Sequence, residues 1–234
     1  MNFKDSGKLK AITFSYDDAV TQDIEFIELL NKYNLKGTFN INSELLGKKG
    51  MLIRENKRIA HYKVHPDDVK GVYEGHEVAV HTLTHPHLPP LEDAEIIRQV
   101  EQDRLNLSEL VGYEVIGMAY PGGGVNNDDR VAQIIKNNTG VKYSRTITFT
   151  HDFNAQENLY RYNPTVYHLD FDVLMDLGHK FIDLNPDTPQ IFCIMGHSYE
   201  FDNRSDCRVK FEEFLKLISN KEDIFYGTNK EILL

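Results

Sequence analysis

Eight short apolar runs, spread over the whole 234-residue chain and separated by amphipathic stretches, restrict the fold more than any other feature of this sequence. They lie at 9–14, 37–41, 77–81, 115–120, 141–147, 165–168, 190–195 and 223–226. Runs this short read as strands. Between them, Ile24, Ile27 and Leu30 recur at helical spacing, as do Ile96, Val100, Leu107 and Val111, with Gly112 suited to a C-cap. Phe211, Phe214, Leu215 and Ile218 give a further helical face. Strands alternating with helices predict an α/β fold with a mostly parallel sheet. Eight strands in a chain slightly short of the usual barrel length suggest a (β/α) barrel, complete or incomplete. The stretch 47–75 is less regular and is expected to hold an excursion with one or two short helices. No repeat or Gly/Ser/Pro-rich linker divides the chain, so residues 1–234 are expected to form a single domain.

Charge and hydropathy exclude several classes of function. Lys and Arg number 26 against 36 Asp and Glu, a net charge of −10. That argues against a general binder of nucleic acid or anionic membrane, both of which call for a basic excess. No apolar run approaches a membrane span and no signal peptide is visible, so a cytoplasmic location is expected. Cys193 and Cys207 are the only cysteines, too few for a disulfide framework.

The chemistry-bearing residues gather where the predicted strands end. Asp17 and Asp18 follow the first strand, His81 closes the third with His85 four residues on, and Tyr120-Pro121-Gly122-Gly123 follow the fourth. Arg145 lies in the fifth, and Gly196-His197 follow the seventh. In a parallel barrel these ends share one face, where distant residues can converge. Paired carboxylates can divide labour between cation binding and proton transfer, although an Asp after a strand also serves as a helix N-cap. Imidazoles four apart can meet one ion if the segment makes a helical turn, and with a carboxylate they suit zinc. Gly122 would let the backbone approach a ligand and offer an N–H to an oxyanion. A His at a strand mouth can act as acid or base near neutral pH. His61 and His65 are expected to be solvated, and Tyr160-Arg161-Tyr162 could line a sugar-binding cleft.

Taken in order, Ser15-Tyr16-Asp17-Asp18-Ala19, His81-x3-His85, Tyr120-Pro121-Gly122-Gly123 and Gly196-His197 resemble the motifs of the polysaccharide deacetylase family (NodB homology domain, carbohydrate esterase family 4). The resemblance covers about residues 9 to 200. It implies a distorted (β/α) barrel with seven or eight parallel strands and metal-dependent removal of acetyl groups, N- or O-linked, from a saccharide. Carried over, Asp17 matches the catalytic base and Asp18 the metal-binding aspartate. His81 and His85 match the histidine ligands, Gly122 the oxyanion-binding backbone position, and His197 the catalytic acid. Tyr120 and Pro121 fall in the substrate-binding turn. The implied cofactor is a divalent ion, zinc before Co2+, Ni2+ or Mn2+.

Three departures from the family pattern stand out. Ala19 replaces the usual glycine, a mild change if its φ is negative. Ala119 stands where the family has an arginine that orients the catalytic aspartate, and the motif that tunes the catalytic histidine is not clear. Arg145, charged in an otherwise uncharged strand, is expected to supply the missing guanidinium and so joins Asp17 and His197 in the catalytic set. Asp170 or Asp172 is the expected partner of His197. Two other readings stay open: a hydrolase of a small cyclic imide or ureide amide, and a non-catalytic relative that keeps metal and carbohydrate binding. Nothing in the sequence speaks to oligomeric state.

Overall fold

The structure, a computed structural model, describes residues 2–54, 56–203 and 206–234. The chain runs β1 (Lys10–Asp17), α1 (Asp23–Lys32), β2 (Gly37–Ile41), β3 (Met51–Arg54), β4 (Lys57–Ala60), α2 (Val69–Val72) and β5 (Glu77–Val80). It continues with α3 (Asp93–Ile97), α4 (Asp103–Val111), β6 (Gly117–Ala119), α5 (Asp129–Asn138), β7 (Tyr143–Arg145) and β8 (Val166–Tyr167). The last elements are α6 (Phe171–Asp183), β9 (Gln190–Gly196), α7 (Cys207–Ile218), β10 (Ile224–Tyr226) and α8 (Asn229–Leu233).

All eight predicted strands are present, and they form one sheet in the order β7-β6-β5-β2-β1-β9-β8, every pair parallel. β10 pairs with the first half of β1, through Lys10–Ile12, and β2 with the second half, through Phe14–Asp17. The seven-strand path curls into a half-barrel. An isolated parallel bridge joins Arg145, the last residue of β7, to Tyr162 in the segment that leads into β8. Parallel strands covered on both faces need apolar residues throughout, and every residue of β1 is buried. Phe14, Tyr16, Phe39 and Phe192 from the sheet pack with Phe26, Leu30, Phe211 and Phe214 from α1 and α7 in one core. Each such side chain contributes roughly 1.5–3 kcal/mol when fully buried.

Ile24, counted into the inner face of α1 from its spacing, points outward at 44% exposure, and Phe26 takes the inner place. The excursion differs more. In 51–60 the chain forms the antiparallel hairpin β3–β4, with Met51 opposite Ala60 and Arg54 opposite Lys57, and the short α2 follows it. Four-residue strands of mixed polarity carry too few alternations to register as a period-2 pattern. α3 and α4 are joined through a wider, π-type turn at Arg98–Gln102. No disulfide joins Cys193 and Cys207, and among the described residues no helix is long and apolar enough to cross a membrane.

Candidate active site

Because all sheet strands run the same way, their C-terminal ends open onto one cavity of about 640 Å³. Asp17, Asp18, His81, His85, Tyr120, Gly122 and His197 line it. Pro121 is buried in its turn and does not line the cavity, and Tyr120 spends its hydroxyl on the carbonyl of Tyr160 at 2.8 Å.

Asp17 is 3% exposed at the end of β1. Its Oδ1 accepts from the Arg145 guanidinium and from Asn40 Nδ2 at 2.8 Å. Its Oδ2 faces the cavity, 3.9 Å from His81 Nε2 and 4.0 Å from His197 Nε2. Burial opposes ionisation here, yet Arg145, His81 and His197 outweigh it and hold the carboxyl below its usual range. Arg145 is fully buried, with Nε donating to Ser15 Oγ at 3.0 Å and Nη1 to the Thr146 carbonyl at 3.0 Å. Its guanidinium thus arrives at the carboxylate from β7, two strands beyond β5, while Ala119 on β6 contributes a carbonyl instead.

That carbonyl accepts from His81 Nδ1 at 2.9 Å, which leaves Nε2 as the ring's lone-pair nitrogen toward the cavity. Ligand atoms of Asp18, His81 and His85 lie within 4.8 Å of one another. One carboxylate and two imidazoles suit a zinc-like divalent ion and leave a coordination position open. Burial lowers the His81 pKa to about 4, so its lone pair is available near neutral pH. The His81–His85 segment is not the helical turn its spacing suggested. It is a loop with left-handed backbone at Thr82 and His85. The π-type turn holds it, since the Gln99 carbonyl accepts from Leu83 N at 3.0 Å and the Gln99 amide bonds Thr84 Oγ1 at 3.1 Å.

Two residues outside the expected set hold Asp18. Lys63 Nζ donates to its carbonyl at 2.5 Å and to Oδ1 at 3.2 Å, and His61 Nε2 lies 3.2 Å from Oδ2. His61 is therefore not solvated as expected. The chain beyond the hairpin pairs with the segment after β1 through Val20 and Lys63, which brings His61 inward, while His65 stays exposed. Ala19 has φ +50°, so the condition under which its replacement of glycine would be mild is not met, and Asp18 has φ +88°.

His197 also differs from expectation. Asp170 and Asp172 are exposed, and the partner of His197 is Glu200, whose Oε2 lies 3.1 Å from His197 Nδ1. The same oxygen accepts from His168 Nε2 at 2.8 Å, and Oε1 accepts from the Tyr167 hydroxyl. His168 Nδ1 pairs in turn with the Tyr16 hydroxyl at 2.9 Å. Burial disfavours the imidazolium, but Glu200 overrides it and raises the His197 pKa to about 9. His-x-x-Glu at a strand-to-helix turn matches the capping-box spacing, a signal the sequence did carry.

Gly122 has φ +83°, and a Cβ there would collide with the His87 ring. Asn126 Nδ2 clamps the turn through the carbonyls of Tyr120 and Gly122, and the Gly122 N–H has no protein acceptor among the described residues. Tyr160-Arg161-Tyr162 lies outside the cavity. Arg161 pairs with Asp129, Tyr160 donates to the Val141 carbonyl, and Tyr162 is buried against β7.

Comparison with known proteins bears on the family and the fold. The family profile described as polysaccharide deacetylase matches residues 4–143. No curated protein matches significantly. A family 4 carbohydrate esterase from Streptomyces lividans, solved with acetate, has a similar fold at 11% identity and TM-score 0.57, covering 94% of this chain and 93% of that one. The polysaccharide deacetylase Bc1974 from Bacillus cereus is similar at 16% identity and TM-score 0.56, covering 94% and 91%. A CE4-family pseudoenzyme from Bacillus anthracis aligns at 17% identity and TM-score 0.57, covering 96% of this chain and 66% of that one. At such identities the likeness is one of fold, whereas the profile match spans more than half of the sequence. The chain belongs to the polysaccharide deacetylase family.

Proposed function

We propose that this protein is a metal-dependent deacetylase that hydrolyses acetyl groups, N-linked before O-linked, on a saccharide. The observation that carries the reading is the division of the Asp17 carboxylate. One oxygen is saturated by Arg145 and Asn40, and the other is open to the cavity between His81 and His197. A carboxylate that only steadied a metal ligand would need no open oxygen facing an imidazolium.

Asp18, His81 and His85 would hold the divalent ion, zinc in the first instance, which supplies Lewis acidity toward the acetyl carbonyl and the attacking water. Asp17 Oδ2 takes the proton of that water. The Gly122 N–H donates to the oxygen that becomes negative, a contribution often worth about 2.7–4 kcal/mol per donor. His197 holds Nδ1–H on Glu200 and presents Nε2–H toward the leaving amine, to which it delivers a proton. Arg145 keeps Asp17 ionised and fixed in orientation, the role the family gives to the residue replaced here by Ala119.

Acetate release from N- and O-acetylated saccharides, with zinc and with chelator, tests the reading. Asp17→Asn and His197→Ala should each lower turnover about 10²–10⁴-fold while leaving zinc stoichiometry at one. Release from hydantoin-type amides alone would replace the saccharide by the cyclic substrate. Full zinc binding with no release from any compound would leave a binding protein.

A further inference from the structure

The hairpin adds a charge to the cavity that the reaction does not use. Half-buried Leu52 and exposed Arg54 of β3 line the cavity, and Met51 and Ile53, on the alternate face, are exposed at 43% and 70%. Every acidic group around the reacting centre is already matched. Asp17 is held by Arg145, Asp18 by Lys63 and His61, and Glu200 by three donors. Lys63 is consumed in the same way. Arg54 differs, for it forms no ion pair among the described residues and faces the hydroxyl of Tyr199. The Tyr199 ring lies 5.1 Å from that of His197 and 5.0 Å from that of His61, centroid to centroid, so Arg54 stands beyond it at the cavity edge next to both His197 and the support of Asp18.

A guanidinium with no ion pair among the described residues, at the wall of a cavity in a chain of net charge −10, suits a fork-like contact with an anion. We propose that Arg54 is a specificity-determining residue that binds an anionic substituent, a carboxylate or a phosphate, on the sugar half of the acetylated substrate. The proposal rests on the deacetylase reading above. The anion belongs to the sugar and not to the acyl group, because an acetyl group carries no ionisable substituent.

The test compares N-acetylglucosamine and its dimer with N-acetylmuramic acid and N-acetylglucosamine 6-phosphate, by acetate release and by calorimetric binding to the inactive, zinc-loaded D17N protein. The anionic sugars are expected to exceed the neutral ones by about tenfold or more in kcat/KM, with the difference in KM. Arg54→Gln should collapse that ratio, Arg54→Lys should keep part of it, and higher salt should shrink it. Whichever anionic sugar is favoured names the substituent. Equal kcat/KM for neutral and anionic sugars, or a preference that survives Arg54→Gln in a protein of unchanged melting temperature, would overturn the role of Arg54. If no sugar releases acetate, the deacetylase reading fails, and binding still decides on Arg54. Anionic sugars held more tightly by the Arg54 protein than by the Gln variant support it, and equal binding ends it.

Discussion

At the scale of single residues, the site depends on buried charges that compensate one another. Arg145 and Asp17 are both almost fully buried, and removing one partner leaves the other uncompensated. Arg145→Ala should therefore cost about 3–5 kcal/mol in urea unfolding, beside a loss of acetate release. A fully stable, fully active Ala variant would sever Arg145 from Asp17. His197 offers a second test. In metal-free protein its imidazole should keep a proton up to about pH 9, read by NMR titration, and Glu200→Gln should bring the pKa down toward the ordinary value near 6.5. Since folding raises this pKa, the stability the His197 imidazolium contributes is lost as pH rises from about 6.5 through about 9, while Glu200, whose pKa is lowered, loses its own share on acidification. The candidate metal-binding trio and Asp17 were legible as cavity-lining residues because they sit in short motifs beside strands. Glu200 was marked in the sequence only by its His-x-x-Glu spacing from His197, and the packing of His168 against it shows its second role.

At the scale of elements, close backbone approaches set the strand ends. Gly196 ends β9 against the ring of His168, and a Cβ would collide with that ring. Gly196→Ala should destabilise by about 1–3 kcal/mol and loosen His197, measured as a lower urea midpoint together with lower turnover. Ala19 makes the opposite case. It holds φ +50°, where an L side chain is strained and glycine is not. Ala19→Gly should raise stability by about 0.5–1 kcal/mol, the relief of strain less the extra freedom glycine gains when unfolded, and a thermal melt reads it directly. Strand positions were legible from the apolar runs. The hairpin was not, because its strands are brief and its inward side chains, Leu52 and Arg54, differ in polarity although they share a cavity wall.

At the scale of the molecule, a divalent ion held by Asp18, His81 and His85 would join β1 to the loop after β5. A ligand bound to the folded state alone adds about 2.7 kcal/mol at a hundred times its dissociation constant, roughly 5–10 °C for a chain of this size. Zinc should produce such a shift, chelator should reverse it, and Asp18→Asn should abolish most of it. The sequence by itself determined the alternation of strand and helix, the sharing of one sheet face by distant polar residues, and the residue types of the candidate metal site. Those follow from local periodicity and from residues adjacent in the chain. Only the tertiary structure decided which cation meets Asp17, which carboxylate holds His197, and that His61 and Lys63 fold back onto Asp18. These pairings join residues 128, 3, 43 and 45 positions apart, and apart from the capping-box pair no local pattern encodes them. They are selected by the free-energy cost of leaving a buried charge unpaired, which is incurred once the half-barrel has closed around it.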